Sequence, residues 1–191
     1  MVSSPRFVMK SVPKEPSITE SSAKQLDGFI AKFEPAMGKL IRQCRAELRR
    51  LLPTAVEIVY DNYNFFVIGY CTTERPSSCI VSIAAAANGV GLSFYHGASL
   101  PDPEHLLLGI GKQNRFVRLP TVETLRSSGV LALIDAAVRQ ADPPLLPKGG
   151  GHTIIKSISG KQRPRRRPTR PSLRRKMRDS QTPRPAKGCE G

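Results

Sequence analysis

Apolar positions fall into two rhythms along the chain, and the rhythm changes near residue 55. Leu26, Phe29, Ile30 and Phe33 recur at i, i+3, i+4 and i+7, which places one apolar stripe on a helix. Ser17, with Glu20 three residues later, reads as the capping box that opens this helix. Pro35 suits the first turn of a second helix. Met37, Leu40, Ile41, Cys44, Leu48 and Leu51 keep the helical period up to Pro53. Beyond it the pattern shortens. Val56–Tyr60 and Asn64–Tyr70 are rich in β-branched and aromatic residues, with Asp61-Asn62 as the turn between two strands. Cys79–Ala87 is a further apolar run. Past Asn88-Gly89, Val90, Leu92 and Phe94 alternate with Gly91, Ser93 and Tyr95. An Asn-Gly pair between two such runs predicts a hairpin closed by a type I′ turn, with positive φ at both residues.

The later part of the chain switches again. Asp102-Pro103-Glu104 reads as the start of a short helix that Gly109 ends in a left-handed conformation. Arg115–Leu119 is a last short strand. Pro120-Thr121 opens a closing helix with Val130, Ile134, Ala137 and Val138 on its buried face. The predicted fold is α+β: an antiparallel sheet packed against N- and C-terminal helices. Residues 1–16, with Pro5, Pro13 and Pro16, form a flexible lead-in to a domain at 17–141. Residues 142–160 are a linker, and 161–191 a disordered Arg/Pro-rich tail.

Charge supports that division. The 191 residues carry 30 Lys+Arg against 15 Asp+Glu, a net charge of +15. Residues 161–191 hold 12 of the basic and 2 of the acidic groups, so +10 sits in the tail and +5 in the rest. Leu173, Met177, Ala186 and Cys189 are the tail's only hydrophobic residues, too few to offset the entropy of ordering it. No apolar run approaches the roughly 20 residues of a membrane span, and the start of the chain lacks a secretory h-region. Four cysteines in a chain of this length point to reduced thiols and a cytoplasmic protein.

The central stretch resembles a known family. Gly91-Leu92-Ser93-Phe94-Tyr95-His96-Gly97-Ala98-Ser99-Leu100-Pro101-Asp102-Pro103, then Leu107-Leu108-Gly109-Ile110-Gly111-Lys112 and Arg115, is similar to the central pattern of the YdhG-like domains. Leu51-Leu52-Pro53, Glu57, Tyr60 and Phe65 resemble the opening of the same pattern. The resemblance implies an α+β sandwich comparable to frataxin, without an assigned chemistry for most members. One branch is described as intracellular iron chaperones. The residues here offer little for iron: Glu20, Asp27 and Glu34 share one helix face at steps of about 10 Å, so no two could hold one ion.

Other chemistry is sparse. His96, His105 and His152 lack metal-ligand spacing, and Cys71 and Cys79 lack a CxxC. No G-x-S-x-G elbow is present. Gly109-Ile110-Gly111-Lys112 fails as a P-loop, because Leu106 replaces the first Gly and Gln113 the Ser or Thr. The expectation is a small binding module and not an enzyme, without metal or cofactor. Gly109 and Gly111 can expose backbone N–H groups, and Lys112 and Arg115 stand by the same turn, a candidate site for a small anionic ligand. If Arg115 is structural instead, Glu57 is a carboxylate it could pair with. The alternative is nonspecific nucleic-acid binding by the tail, through Arg165, Arg166, Arg167, Arg174 and Arg175 among others. No aromatic residue is interleaved there for base stacking. A merely solubilising tail, or an extension read out of frame from a GC-rich gene, stays open beside it.

Overall fold

The structure, a computed structural model, describes residues 18–167. The lead-in, Ser17 and residues 168–191 lie outside the described residues. Twelve elements follow one another: α1 (Ile18–Ala31), α2 (Pro35–Leu51), β1 (Val56–Asp61), β2 (Phe66–Cys71), a 3-10 turn at Pro76–Ser78, β3 (Cys79–Ala86), β4 (Gly89–Phe94), a second 3-10 turn at Gly97–Ser99, β5 (Arg115–Arg118), α3 (Val122–Leu125), α4 (Ser128–Arg139) and β6 (Thr153–Ile158). The fold is α+β, with six strands in the order β5-β4-β3-β2-β1-β6. β1 to β5 form an antiparallel meander, and β6 returns to the far edge parallel to β1, which makes the sheet mixed.

The helical stripe of α1 explains where the core sits. Leu26, Phe29, Ile30 and Phe33 are all buried, and Phe29 and Phe33 each meet Phe66 of β2 with ring centroids 6.1 and 6.0 Å apart. Ile41, Cys44 and Leu48 of α2 join them. From the sheet, Val59, Ile68, Ile83, Leu92 and Val117 point to this side, as the two-residue period of a strand requires. Val130, Leu133, Ile134 and Ala137 of α4 close the layer.

Four expectations change. The stretch expected as a linker carries β6, and Gly151 admits it: a Cβ there would stand 2.3 Å from the Ala55 carbonyl oxygen. No helix forms after Asp102. Its carboxylate instead accepts the Leu106 and Leu107 N–H groups at 2.9 and 2.8 Å, holding a loop that runs to a bridge between Leu108 and Phe116. The β3–β4 hairpin turns on Ala87 and Asn88. Neither has positive φ, and Gly89 supplies it at +149° as the first residue of β4. The closing helix is two, because the chain breaks at Arg126-Ser127 between α3 and α4.

Candidate functional site

Both ends of the buried polar network come from strand positions on the helix side. Glu57 is 2% exposed and accepts from Arg45 at 3.0 and 2.7 Å, Arg49 at 2.9 Å and the Thr153 hydroxyl at 2.6 Å. Burial opposes its charge, but the Arg45 and Thr153 hydrogen bonds, with the Arg49 charge, hold the carboxyl below its ordinary range. Arg115 is therefore not its partner. At the other end of β1, buried Asp61 pairs with Lys32 and, at 2.9 Å, with Arg165. This network fastens α1, α2, β1 and β6 together, and among the described residues its one buried side-chain atom without a hydrogen-bond partner is the Arg165 Nε.

Arg165 departs from its expected role. It is 5% exposed, donates to the carbonyls of Asn64 and Asn62, and lies 5.9 Å from the centre of the Phe33 ring. Of the tail arginines singled out for nucleic acid, it is a structural clamp. Arg166 and Arg167 are exposed and lightly held, on the Ala31 and Ala87 carbonyls at 3.3 Å each. Arg174 and Arg175 lie outside the described residues.

The Gly109–Arg115 turn is also differently arranged. The Arg115 guanidinium donates to the carbonyls of Gly111 and Asn114, so it braces the turn that it was expected to serve as an anion grip. Lys112 is exposed and in no ion pair among the described residues. Gly109, at φ +106°, lies against the Phe116 ring, and Asn114 exchanges hydrogen bonds with Ser93 at 2.7 and 3.0 Å. The turn thus forms a wall of something else.

That something is the face of the sheet opposite the helices. Strand register sets two rows across it, Arg118–Gly91–Ala84–Val67 and Phe116–Ser93–Ser82–Gly69. Their middle members are too small to fill the space above the strands. The result is a cleft of about 470 Å³ with Ser82, Ala84, Gly91 and Ser93 among its lining, Phe116 at the β5 side and Phe65 at the β2 side. Among the described residues no carboxylate lines it. Phe65 is 49% exposed, and Arg118 is exposed without an ion pair among the described residues.

Residues 163–167 run along one end of this sheet. The Arg163 N–H donates to the Tyr63 carbonyl at 2.9 Å, and its guanidinium stands 5.5 Å from the Tyr63 ring centre, at the β1–β2 turn. Arg167 reaches the β3–β4 turn beside the cleft. Tyr63 and Phe65 stand at this end of the sheet, and Phe116 lines the cleft from β5. Strand alternation alone could have flagged Phe116 and Arg118 as sharing a face; the meeting of this face with residues 163–167 depends on β6. Among the described residues no three His, Cys, Asp or Glu groups are placed to hold a metal ion. Asp27 and Glu34 are exposed, and Asp27 lies 3.6 Å from Arg42. No described helix is long and apolar enough to cross a membrane.

Compared with known proteins, the chain matches no family model, no curated protein and no solved structure. The resemblance of its central stretch to the YdhG-like domains rests on those residues alone.

Proposed function

We propose that this protein binds single-stranded nucleic acid, with little preference for sequence, on the open face of its sheet. The observation that carries this reading is the meeting of two features: a cleft left open and free of carboxylates by the described residues, between the exposed Phe65 and the half-buried Phe116, and a run of arginines delivered to the same end of the sheet. Aromatic rings that open onto a cleft offer stacking platforms to any base, and flanking arginines neutralise the phosphates between them.

Spacing favours a strand over a single nucleotide. β2 and β5 are three inter-strand steps apart, about 14 Å at the usual spacing. Phe65 and Phe116 therefore cannot sandwich one ring. Each takes its own base, and a ligand spanning both must be a chain. Duplex DNA, whose bases are already stacked, cannot use either platform.

Fluorescence anisotropy with labelled oligothymidylate and a duplex of equal length tests the reading. The single strand should bind more tightly at matched salt. Phe65→Ala and Phe116→Ala should each weaken its binding by about 1–3 kcal/mol, roughly five- to 150-fold, and leave duplex binding unchanged. Equal affinity for the two forms, indifferent to both substitutions, would return the reading to tail electrostatics alone.

A further inference from the structure

β2 and β3 lose step at one point. Tyr70 opposes Val81, yet the next pair is Cys71 with Cys79, so Ile80 has no partner on β2. Ile80 and Val81, adjacent in sequence, both sit in the helix-side core, as the extra residue of a β-bulge allows. In unbroken register Cys71 would face Ile80. The bulge instead sets two thiols opposite each other on the other side of the sheet, where Cys79 packs on the small cluster of Val56, Ile58 and Cys71.

Their neighbourhood is close enough for a bond. A Cβ built on Gly69 would lie 3.2 Å from the Cys79 sulfur and 3.7 Å from that of Cys71, so both sulfurs occupy the space this glycine leaves. Directly opposed residues on antiparallel strands have Cα atoms about 4.5–5.5 Å apart, within the roughly 4.4–6.8 Å that disulfides span. Both thiols are reduced in the structure.

We infer that Cys71 and Cys79 form a reversible cross-strand disulfide when the protein meets a peroxide. Cys79 is the half-buried member and Cys71 the buried one, so Cys79 meets the oxidant. Its thiolate attacks one peroxide oxygen, the O–O bond breaks, and a sulfenic acid and hydroxide form. The Cys71 sulfur then attacks the Cys79 sulfur, and the sulfenic oxygen leaves as water with the Cys71 proton. Two thiols and one hydrogen peroxide thus become one disulfide and two waters. A hydrogen bond to Cys79 and burial both push the Cys71 thiol up, which keeps it protonated and in reserve for the second step.

Peptide mapping reads this directly. Trypsin leaves both cysteines in one peptide, Leu51–Lys112, because the bond after Arg75 precedes Pro76; Cys44 and Cys189 fall in other peptides. After hydrogen peroxide and iodoacetamide treatment of the full chain, that peptide should be lighter by two hydrogens and unalkylated. Dithiothreitol should restore two alkylatable thiols. In Cys71→Ser, Cys79 lacks its resolving partner and should advance to the sulfinic acid. A wild-type peptide that stays doubly alkylated, or carries sulfinic acid in place of the disulfide, overturns the inference. So does a Cys71→Ser protein whose Cys79 remains unoxidised.

Discussion

The two faces of the sheet are made by the same strands and differ in almost every physical respect. On the helix side, Val59, Phe66, Ile68, Ile83, Leu92 and Phe94 are buried, and each contributes about 1.5–3 kcal/mol by leaving water. On the other side, the residues between them in sequence are Val67, Ser82, Ala84, Gly91 and Ser93, and the bulkier groups stand at the margins. A sheet needs only one covered face to be stable. Away from the small cluster of Val56, Ile58 and Cys71, the open face is thus released from packing, and its small residues can serve shape. Charge divides similarly: Glu57 and Asp61 are locked by cations on the covered side, whereas Arg118 on the open side has no acidic partner among the described residues.

The sharpest break in that comparison is at Glu57. Glu57→Gln leaves Arg45 and Arg49 facing a neutral group in a mostly buried site, and should cost about 3 kcal/mol of stability. Because the folded carboxyl sits below its ordinary value of 4.5, this contribution is fully present above that pH. It disappears as pH falls through the lower, folded value. Urea midpoints of wild type and variant should differ clearly at pH 7 and converge in acid. A difference that persists unchanged below the carboxylate range would mean the loss comes from packing.

Arg165 gives a smaller effect on the same side. Arg165→Ala removes its hydrogen bonds to Asp61, Asn62 and Asn64 but leaves Lys32 on Asp61, so about 2 kcal/mol is expected. Its distinctive signature is local. Amide exchange should quicken in Asn62–Phe65 and in β6, while α4 keeps its protection. Uniform quickening would show that Arg165 supports the whole core.

How far the sequence discloses all this follows the same division. The helices and central strands were legible because their burial writes a strong period: Leu26–Phe33 at helical spacing, Val90–Phe94 at alternate positions. β6 was not, since Thr153–Ile158 is an edge strand with one neighbour and three exposed residues, and its TIIKSI pattern carries little alternation. Arg165 was misplaced for a related reason. Counted by composition it belongs with the solvated tail; only β6 beside β1 brings it to Asp61. The Asp102 loop failed because a helix N-cap and an Asx turn begin with the same residue and the same acceptor. As for the cleft, its floor is a run of small residues, a pattern that becomes a shape only when register sets four strands side by side.

The smallest expected effect tests whether the open face is charged for a purpose. Arg118 stands in the same row as Gly91, exposed, on the strand that also carries Phe116. If it meets one phosphate of a strand stacked on the phenylalanines, Arg118→Ala should weaken single-strand binding modestly at low salt. The decisive reading is the slope. Each phosphate neutralised releases condensed counterion, about 0.7 ion per contact for single strands, so the log–log salt dependence should become shallower by about that amount. Thermal stability should hardly move, because the side chain is exposed and in no ion pair among the described residues. Phe116→Ala, by contrast, should lower affinity at every salt concentration and leave the slope alone, since stacking releases no ions. Opposite behaviour of two neighbours on one strand separates a contact with phosphate from a contact with base. If both substitutions changed the slope equally, the cleft would be acting only through its position in the protein's overall positive field.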